Sequence, residues 1–365
     1  MDNTKNQLKK RKNIVLVCLR LANGGAERVL SIIANELAER GYSVRFVILL
    51  DSEDDYSLSD KVTAIHLKWK DTFVPLDAFT RWSRLRKLLV ATDTVVVAFL
   101  FRTIFWVSIA TAFSNVKTIF SERNDPRKDP NTAFKRLLRN ICYLKATKIV
   151  FQNNMQMALF SKIIRKKGVV IPNPIGNDLP YHNPDSCENV VISVCRYERQ
   201  KNILMAIKAF QIFHFSHRQF EFHIYGRGSM ENEIRDHIKS LGLEHSVKLM
   251  GYSNNIYNKM QNAMIFISTS NYEGMSNSIL EAMAIGLPVV CTDCPVGVNA
   301  ELIKNGQNGI LVKINDHKTL ALEMSRLCDS VEMRKKISVE ARHIRTSNAK
   351  PFVISEWSRI INEGK

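Results

Sequence analysis

Two carboxylates eight residues apart, Glu273 and Glu281, open the chemistry of this chain, in the stretch EGMSNSILEAMAIGLPVV. A strand-like run ends just before them and a helix is expected from near Asn277. That puts Glu273 in a polar loop and Glu281 on the second helical turn. A carboxylate on a helix face suits bidentate binding of vicinal hydroxyls, as on a ribose, and first-turn N–H groups suit phosphate oxygens. Arg196 and Lys201, in CRYERQKN between another strand and helix, suit a diphosphate. Gly24 and Gly25, in LANGGAER, let backbone approach an anion at a helix start. Each window also has a plainer reading. Glu281 can be a routine surface helix residue, Arg196 and Lys201 solvated cations, and the paired glycines a tight turn.

Positioning these residues takes alternating strands and helices. Apolar runs at 13–19, 44–50, 95–100, 117–120, 148–151 and 169–171 read as buried strands. A helix over about 26–40, closed by Gly41, lies between the first two. Such strand–helix–strand units imply a parallel, doubly wound sheet. Proline and polar residues then gather in 172–185, and 175–188 reads as a linker. The alternation restarts with strands at 190–194, 221–225, 247–249, 265–269 and 288–291 and a helix over about 202–213. Two Rossmann-like domains in tandem are expected, 1–174 and 189–350, with ligands at the carboxyl ends of the strands. With two domains, those ends can face one another across a cleft.

Charge divides the halves. Residues 1–174 hold 30 basic and 15 acidic side chains, a net of +15, while 175–365 hold 22 and 20, a net of +2. The excess suggests nucleic acid, an acidic membrane surface, or a solvated basic face. Its clusters alternate with apolar residues: Arg81, Arg84, Arg86 and Lys87 around Trp82, Leu85, Leu88 and Leu89; Lys135, Arg136, Arg139 and Lys145 around Leu137, Leu138 and Ile141. Such helices can lie on anionic bilayers, or pack the apolar face as core. The apolar stretch 95–113 contains Arg102 and reads as strand, loop and helix rather than a membrane span. No secretory signal is visible in the polar, basic start. Seven scattered cysteines fit a reducing compartment, and the lone Cys291-x-x-Cys294 lacks a second pair.

Taken together, these pieces resemble the retaining glycosyltransferases of family 4, with the GT-B fold. Glu273 and Glu281 match its E-x7-E motif, and the Gly-Gly loop, IPNP at 171–174, R-x4-K at 196–201 and YGRG at 225–228 follow in the family's order. The match spans about 13–345. The resemblance implies that Arg196 and Lys201 hold the donor diphosphate, aided by backbone at Gly274, Met275, Ser276, Asn277 and Ser278 and, opposite, at Gly24 and Gly25. Glu281 would bind the ribose, Gly251 and Tyr252 the base, and Glu273 the transferred sugar. It implies no cofactor and no metal, cations and helix dipole standing in; Asp51, Glu53, Asp54 and Asp55 form no D-x-D motif and read as a solvated acidic loop.

One departure concerns the His that many members carry after the strand ending here near Phe120. None of the nine His residues lies there. Glu122 would take its place, at the donor sugar or acceptor hydroxyl, and Arg123 would bind an acceptor phosphate. The ERNDP, GGAERV and EGMSN segments resemble the subgroup that builds bacterial capsule, O-antigen (lipopolysaccharide) and lipid-linked oligosaccharides. The resemblance therefore implies transfer of a hexose or N-acetylhexosamine from a UDP-sugar with retention. The acceptor would be lipid-linked or an oligosaccharide, the location cytoplasmic and peripheral at the inner face of the cell membrane. A GT-B sugar-nucleotide epimerase, or a non-enzymatic binder of anionic polymers, is the alternative. A final helix near 351–362, within 351–365, is expected to pack on the first domain.

Overall fold

The computed structural model describes residues 12–363 apart from 23, 54–55, 72–74 and 177. The basic start over 1–11, Asn23 of the glycine loop, Asp54 and Asp55, Asn177 and the last two residues lie outside the described residues. Contacts divide the chain into two compact units, 1–174 with 351–365, and 175–350.

The first unit runs β1 (Asn13–Cys18), α1 (Gly25–Glu39), β2 (Ser43–Leu50), β3 (Val62–Trp69), α2 (Pro75–Leu89), β4 (Thr94–Phe99), α3 (Phe101–Ala110), β5 (Lys117–Ser121), α4 (Ala133–Lys145), β6 (Lys148–Phe151), α5 (Asn154–Ala158), α6 (Lys162–Arg165) and β7 (Gly168–Val170). Its seven parallel strands lie in the order β3-β2-β1-β4-β5-β6-β7. Central strands are buried along their length because helices cover both faces, which is why they read as unbroken apolar runs. Gly41 sits at φ 79 after α1, and the backbone of Gly41 and Tyr42 donates to Ala38 and Leu37, closing the helix. The edge strand β3 is mostly exposed, so its VTAIHLKW sequence lacks the apolar run that marks its neighbours. The 95–113 stretch breaks at Leu100, φ 64, into β4 and α3. Among the described residues no helix is long and apolar enough to cross a membrane.

The second unit runs β8 (Val190–Val194), α7 (Ile203–Ser216), β9 (Glu221–Tyr225), α8 (Glu231–Ser240), β10 (Val247–Gly251), α9 (Ile256–Asn262), β11 (Ile265–Ser268), α10 (Asn277–Ile285), β12 (Val289–Thr292), α11 (Val298–Leu302), β13 (Ile310–Val312), α12 (His317–Asp329), α13 (Val331–Ala341) and α14 (Ile344–Ser347). Its parallel order is β10-β9-β8-β11-β12-β13. The stretch expected as a linker is packed: Ile175 and Leu179 are buried in this unit's core, and Arg345 donates to the carbonyls of Leu179 and Pro180.

The last helix, α15 (Lys350–Asn362), packs on the first unit's sheet. Trp357 is fully buried, its ring 5.7 Å from Phe99. Lys117, itself buried, donates to the carbonyls of Ile360 at 2.6 Å and Glu363 at 2.7 Å, and Lys12 to that of Ile361 at 2.8 Å. These cations satisfy the helix's terminal carbonyls.

Candidate active site

In the second unit the strand order reverses between β8 and β11, the position where doubly wound sheets bind ligands. The loops leaving those two strands carry the expected residues. They are tied to each other: Asn271 N donates to the Gln200 carbonyl at 2.8 Å, Gln200 Nε2 to that of Tyr272 at 2.8 Å, and Asn271 Nδ2 to that of Arg199 at 3.0 Å. Thr269 Oγ1 donates to the carbonyls of Lys201 and Asn202 at 3.0 Å. Asn202 stands at φ 47, turning the chain from the short 3-10 turn at Arg199–Lys201 into α7.

Lys201 and Glu273 meet as an ion pair, both largely buried. Glu273 also accepts from Ser270 Oγ at 2.7 Å and Gln200 Nε2 at 3.4 Å. Its carboxylate is thus held by three side chains, so it is well placed to receive polar groups and poorly placed to swing as a nucleophile. Arg196 is exposed at the end of β8, and among the described residues no carboxylate pairs with it. Gly274, Met275 and Ser276 are buried, Asn277 and Ser278 half-buried, and α10 opens without a side-chain cap. An uncapped N-terminus directs N–H groups and the helix dipole toward an anion. Glu281 is buried on α10, where Tyr257 Oη donates to it at 3.1 Å.

The YGRG segment shapes this end of the sheet. A Cβ on Gly226, φ 143, would collide with the Cys195 carbonyl, and one on Gly228 with that of Tyr197. Tyr197 N donates to the Arg227 carbonyl at 2.9 Å and Met230 N to that of Tyr197 at 3.0 Å, binding this loop to the one bearing Arg196. Gly251 has φ 68, and the exposed Tyr252 ring lies 5.9 Å from the Arg227 guanidinium. Cys291 and Cys294 are buried free thiols, that of Cys294 pushed up to about 12 by burial, so they are inert packing.

Gly24, Gly25, Glu122 and Arg123 lie in the first unit. Gly24 precedes α1, and the Glu27 carboxylate folds over it. Glu122 follows β5 and is buried. Its Oε2 pairs with Arg139 at 3.3 Å and accepts from Tyr143 Oη at 3.2 Å; its Oε1 accepts from the Arg123 N–H at 3.1 Å. Burial pushes its carboxyl up to about 7 against the pull of Arg139. The side chain expected to meet sugar or acceptor is therefore engaged on both oxygens inside the domain. Arg123 is buried with its guanidinium 3.8 Å from the Phe99 ring centroid, and donates to Asn173 Oδ1 at 2.6 Å. Gln152 Nε2 donates to the same oxygen at 3.0 Å, and the fully buried Gln156 donates to the Asn124 carbonyl at 2.8 Å. The polar QNN after the strand ending at Phe151 signals Gln152, whereas nothing in the sequence marks Gln156 and Arg139 as partners of this cluster.

Of the basic clusters, Arg81 and Arg86 are engaged rather than displayed. Arg81 lies over Trp69 at 5.7 Å, and Arg86 donates to the carbonyls of Ala110 and Ala112. On α4 the expected core face is reversed. Arg139, Cys142 and Tyr143 point inward, while Phe134, Leu137, Ile141 and Leu144 are exposed.

Comparison with known proteins agrees with this architecture. The model of glycosyl transferases group 1 matches residues 177–344, and that of glycosyltransferase family 4 matches 23–178. The amylovoran biosynthesis glycosyltransferase AmsD of Erwinia amylovora is 24% identical over 351 residues, covering 93% of this chain and 96% of that protein. A Campylobacter jejuni α-1,4-N-acetyl-D-galactosaminyltransferase, named for an undecaprenol diphosphate-linked glycan, is 25% identical over 366 residues, covering 96% and 99%. The crystal structure of Anabaena HepE in complex with UDP and glucose superposes with a TM-score of 0.84 at 16% identity, covering 97% and 100%. With the two family models meeting at the boundary between its units, the chain belongs to the GT-B glycosyltransferases that join a family 4 N-terminal domain to a group 1 C-terminal domain.

Proposed function

We propose that this protein is a retaining, metal-independent glycosyltransferase of bacterial surface polysaccharide synthesis. It moves a hexosyl or N-acetylhexosaminyl unit from a UDP-sugar to a lipid-linked or oligosaccharide acceptor. The observation that carries the reading is the pair of interlocked loops at the β8/β11 switch point. They gather Arg196, the Lys201–Glu273 pair and the uncapped start of α10, with Glu281 one turn further in. The polysaccharide setting is supported by the names of AmsD and the Campylobacter enzyme.

In this reading Arg196, Lys201 and the α10 N-terminus take up charge as the bond from the anomeric carbon to the diphosphate oxygen breaks. That electron pair leaves with UDP. The acceptor oxygen bonds to the same face of the sugar, and its proton passes to the departing phosphate. Glu281 binds the ribose hydroxyls, Gly251 and Tyr252 the base. Glu273, held by Lys201, Ser270 and Gln200, orients the sugar. Glu122 positions the acceptor loop from within, and Arg123 serves the acceptor side.

The first domain also docks on an anionic bilayer at the cytoplasmic face. Its α2–α6 layer exposes Phe79, Phe113, Phe134, Leu137, Ile141 and Leu144 beside the exposed cations Lys135, Lys145, Lys162 and Arg165.

A panel of UDP-sugars tests the function, read by thermal shift and by transfer. Stabilisation by UDP with none from NAD or DNA, and transfer from at least one UDP-sugar, is expected. Interconversion of UDP-sugars without acceptor would make it an epimerase, and stabilisation by DNA alone a polymer-binding protein.

A further inference from the structure

The second domain holds a set of ligand-type side chains that the donor loops do not use. α7 starts beside Lys201 and runs 14 residues, roughly 20 Å, to its far end, where His217 follows it. α12 ends at Cys328 and Asp329. His217, Cys328 and Asp329 each offer one ligand atom, all within 4.8 Å of one another.

The His217 ring is fixed. It stacks on Phe213 at 4.4 Å between centroids, 6° from parallel, and meets Phe220 edge-on at 6.0 Å. Its Nδ1 lies 3.1 Å from the Phe213 carbonyl, a contact that requires the proton on Nδ1. With Nδ1 donating, Nε2 faces Asp329 Oδ1 at 3.3 Å. Two acceptors at that separation repel unless a cation or a proton lies between them. A carbonyl on the other ring nitrogen is also what orients and strengthens a metal-binding imidazole.

We propose that His217 Nε2, Cys328 Sγ and the Asp329 carboxylate bind a zinc-class divalent ion, leaving a fourth position open. Nitrogen, sulfur and oxygen together suit zinc and disfavour magnesium or calcium. Ligands sharing one tetrahedral zinc stand roughly 3.3–3.8 Å apart, and the exposed Asp329 side chain can make the small closing movement. Two helices end here, and their carbonyl ends favour a cation. Arg334 occupies the carbonyls of Leu327 and Cys328, at 2.7 Å each, through its own guanidinium. The thiolate is the ligand form, so binding displaces the Cys328 thiol proton. The ion clips α7 to α12 at the end opposite Lys201. It steadies the domain and takes no part in the transfer.

Cobalt(II) titration of the reduced full-length protein tests this, with zinc-dependent thermal shift alongside. The expected result is one equivalent of cobalt with a thiolate charge-transfer band and the visible bands of a tetrahedral site. Zinc raises the unfolding midpoint, and Cys328→Ser abolishes both responses while Asp329→Asn weakens them. Cys187→Ser, a neighbouring thiol outside the set, keeps them. Metal-free Cys328→Ser unfolds like the metal-free parent and transfers sugar at the same rate. The proposal is overturned if no charge-transfer band forms, or if band and stabilisation persist in Cys328→Ser. It is equally overturned if NMR finds a proton on His217 Nε2 that zinc does not displace, leaving only an imidazolium–carboxylate pair.

Discussion

The two domains share a parallel sheet and place their polarity in opposite ways. In the second, charged groups sit in two loops at the switch point and the helices cover an apolar core. In the first, a carboxylate, two guanidiniums and several amides are buried beyond β5 and β6, while α4 turns Phe134, Leu137, Ile141 and Leu144 outward. On the proposed function, one scaffold would serve two partners: charge gathered at strand ends would meet the donor diphosphate, and charge drawn inward leaves an apolar surface with a basic margin for a bilayer. The +15 of the first half therefore overstates what it displays, since Arg139 is neutralised inside and Arg86 caps a helix.

The strongest way to break this contrast is to cut the buried pair. Arg139→Met should cost about 3–5 kcal/mol, because the buried Glu122 loses its cation and the carbonyls of Pro126 and Asp129 lose their donor. Urea unfolding should show the loss, and adding Glu122→Gln should recover most of it. The same group sets a pH dependence. Its folded value of about 7 lies above the unfolded 4.5, so the folded state holds more protons between those values. Stability should fall as pH rises through that window, and Glu122→Gln should flatten the curve. An unchanged slope in that variant would show that Arg139 keeps Glu122 ionised throughout.

Next in size are effects on transfer that leave the fold in place. Glu281→Ala and Lys201→Ala should each lower transfer at least tenfold, about 1.4 kcal/mol of transition-state binding or more. Glu281→Ala should raise the UDP concentration needed for thermal stabilisation with little change in the unliganded midpoint. Parent-like rates in both variants would sink the assignment of the donor site to the β8 and β11 loops.

The second domain was the more legible for a physical reason. Its site is local in sequence: each loop lies between a buried strand and a helix, so EGMSNSILE and RYERQK could be placed by pattern. Even there, Lys201 meeting Glu273 joins residues 72 apart, which no single window contains. In the first domain the strands at 13–18 and 94–99 were plain, yet Glu122 finds Arg139 and Arg123 finds Asn173 only through the fold. Residues such as Gln152 and Arg139 look like surface until those partners are known. The predicted strands omit β3, whose mostly exposed side chains break its apolar run, and stop short of the three-residue β13 at Ile310–Val312.

Smaller effects belong to the outer face of the first domain. Leu137→Asp with Ile141→Asp should weaken binding to anionic vesicles about tenfold, since two exposed apolar contacts are lost and two negative charges face an anionic surface. Donor-dependent stabilisation by UDP should stay unchanged. Equal vesicle binding by parent and variant would mean that this face meets something other than lipid.

The smallest effect separates displayed cations from engaged ones on a single helix. Arg84 and Lys87 are exposed on α2, whereas Arg86 is spent on the end of α3. Neutralising Arg84 or Lys87 should weaken vesicle binding by about 1 kcal/mol each, an effect that fades as salt is raised. Arg86→Gln should instead lower the unfolding midpoint, because the carbonyls of Ala110 and Ala112 lose their donor. Its vesicle binding should keep the parent's salt dependence. If Arg86→Gln changed the salt dependence as much as Arg84→Gln does, the helix would be presenting all its cations to the bilayer, and the inward use of charge would stop at α4.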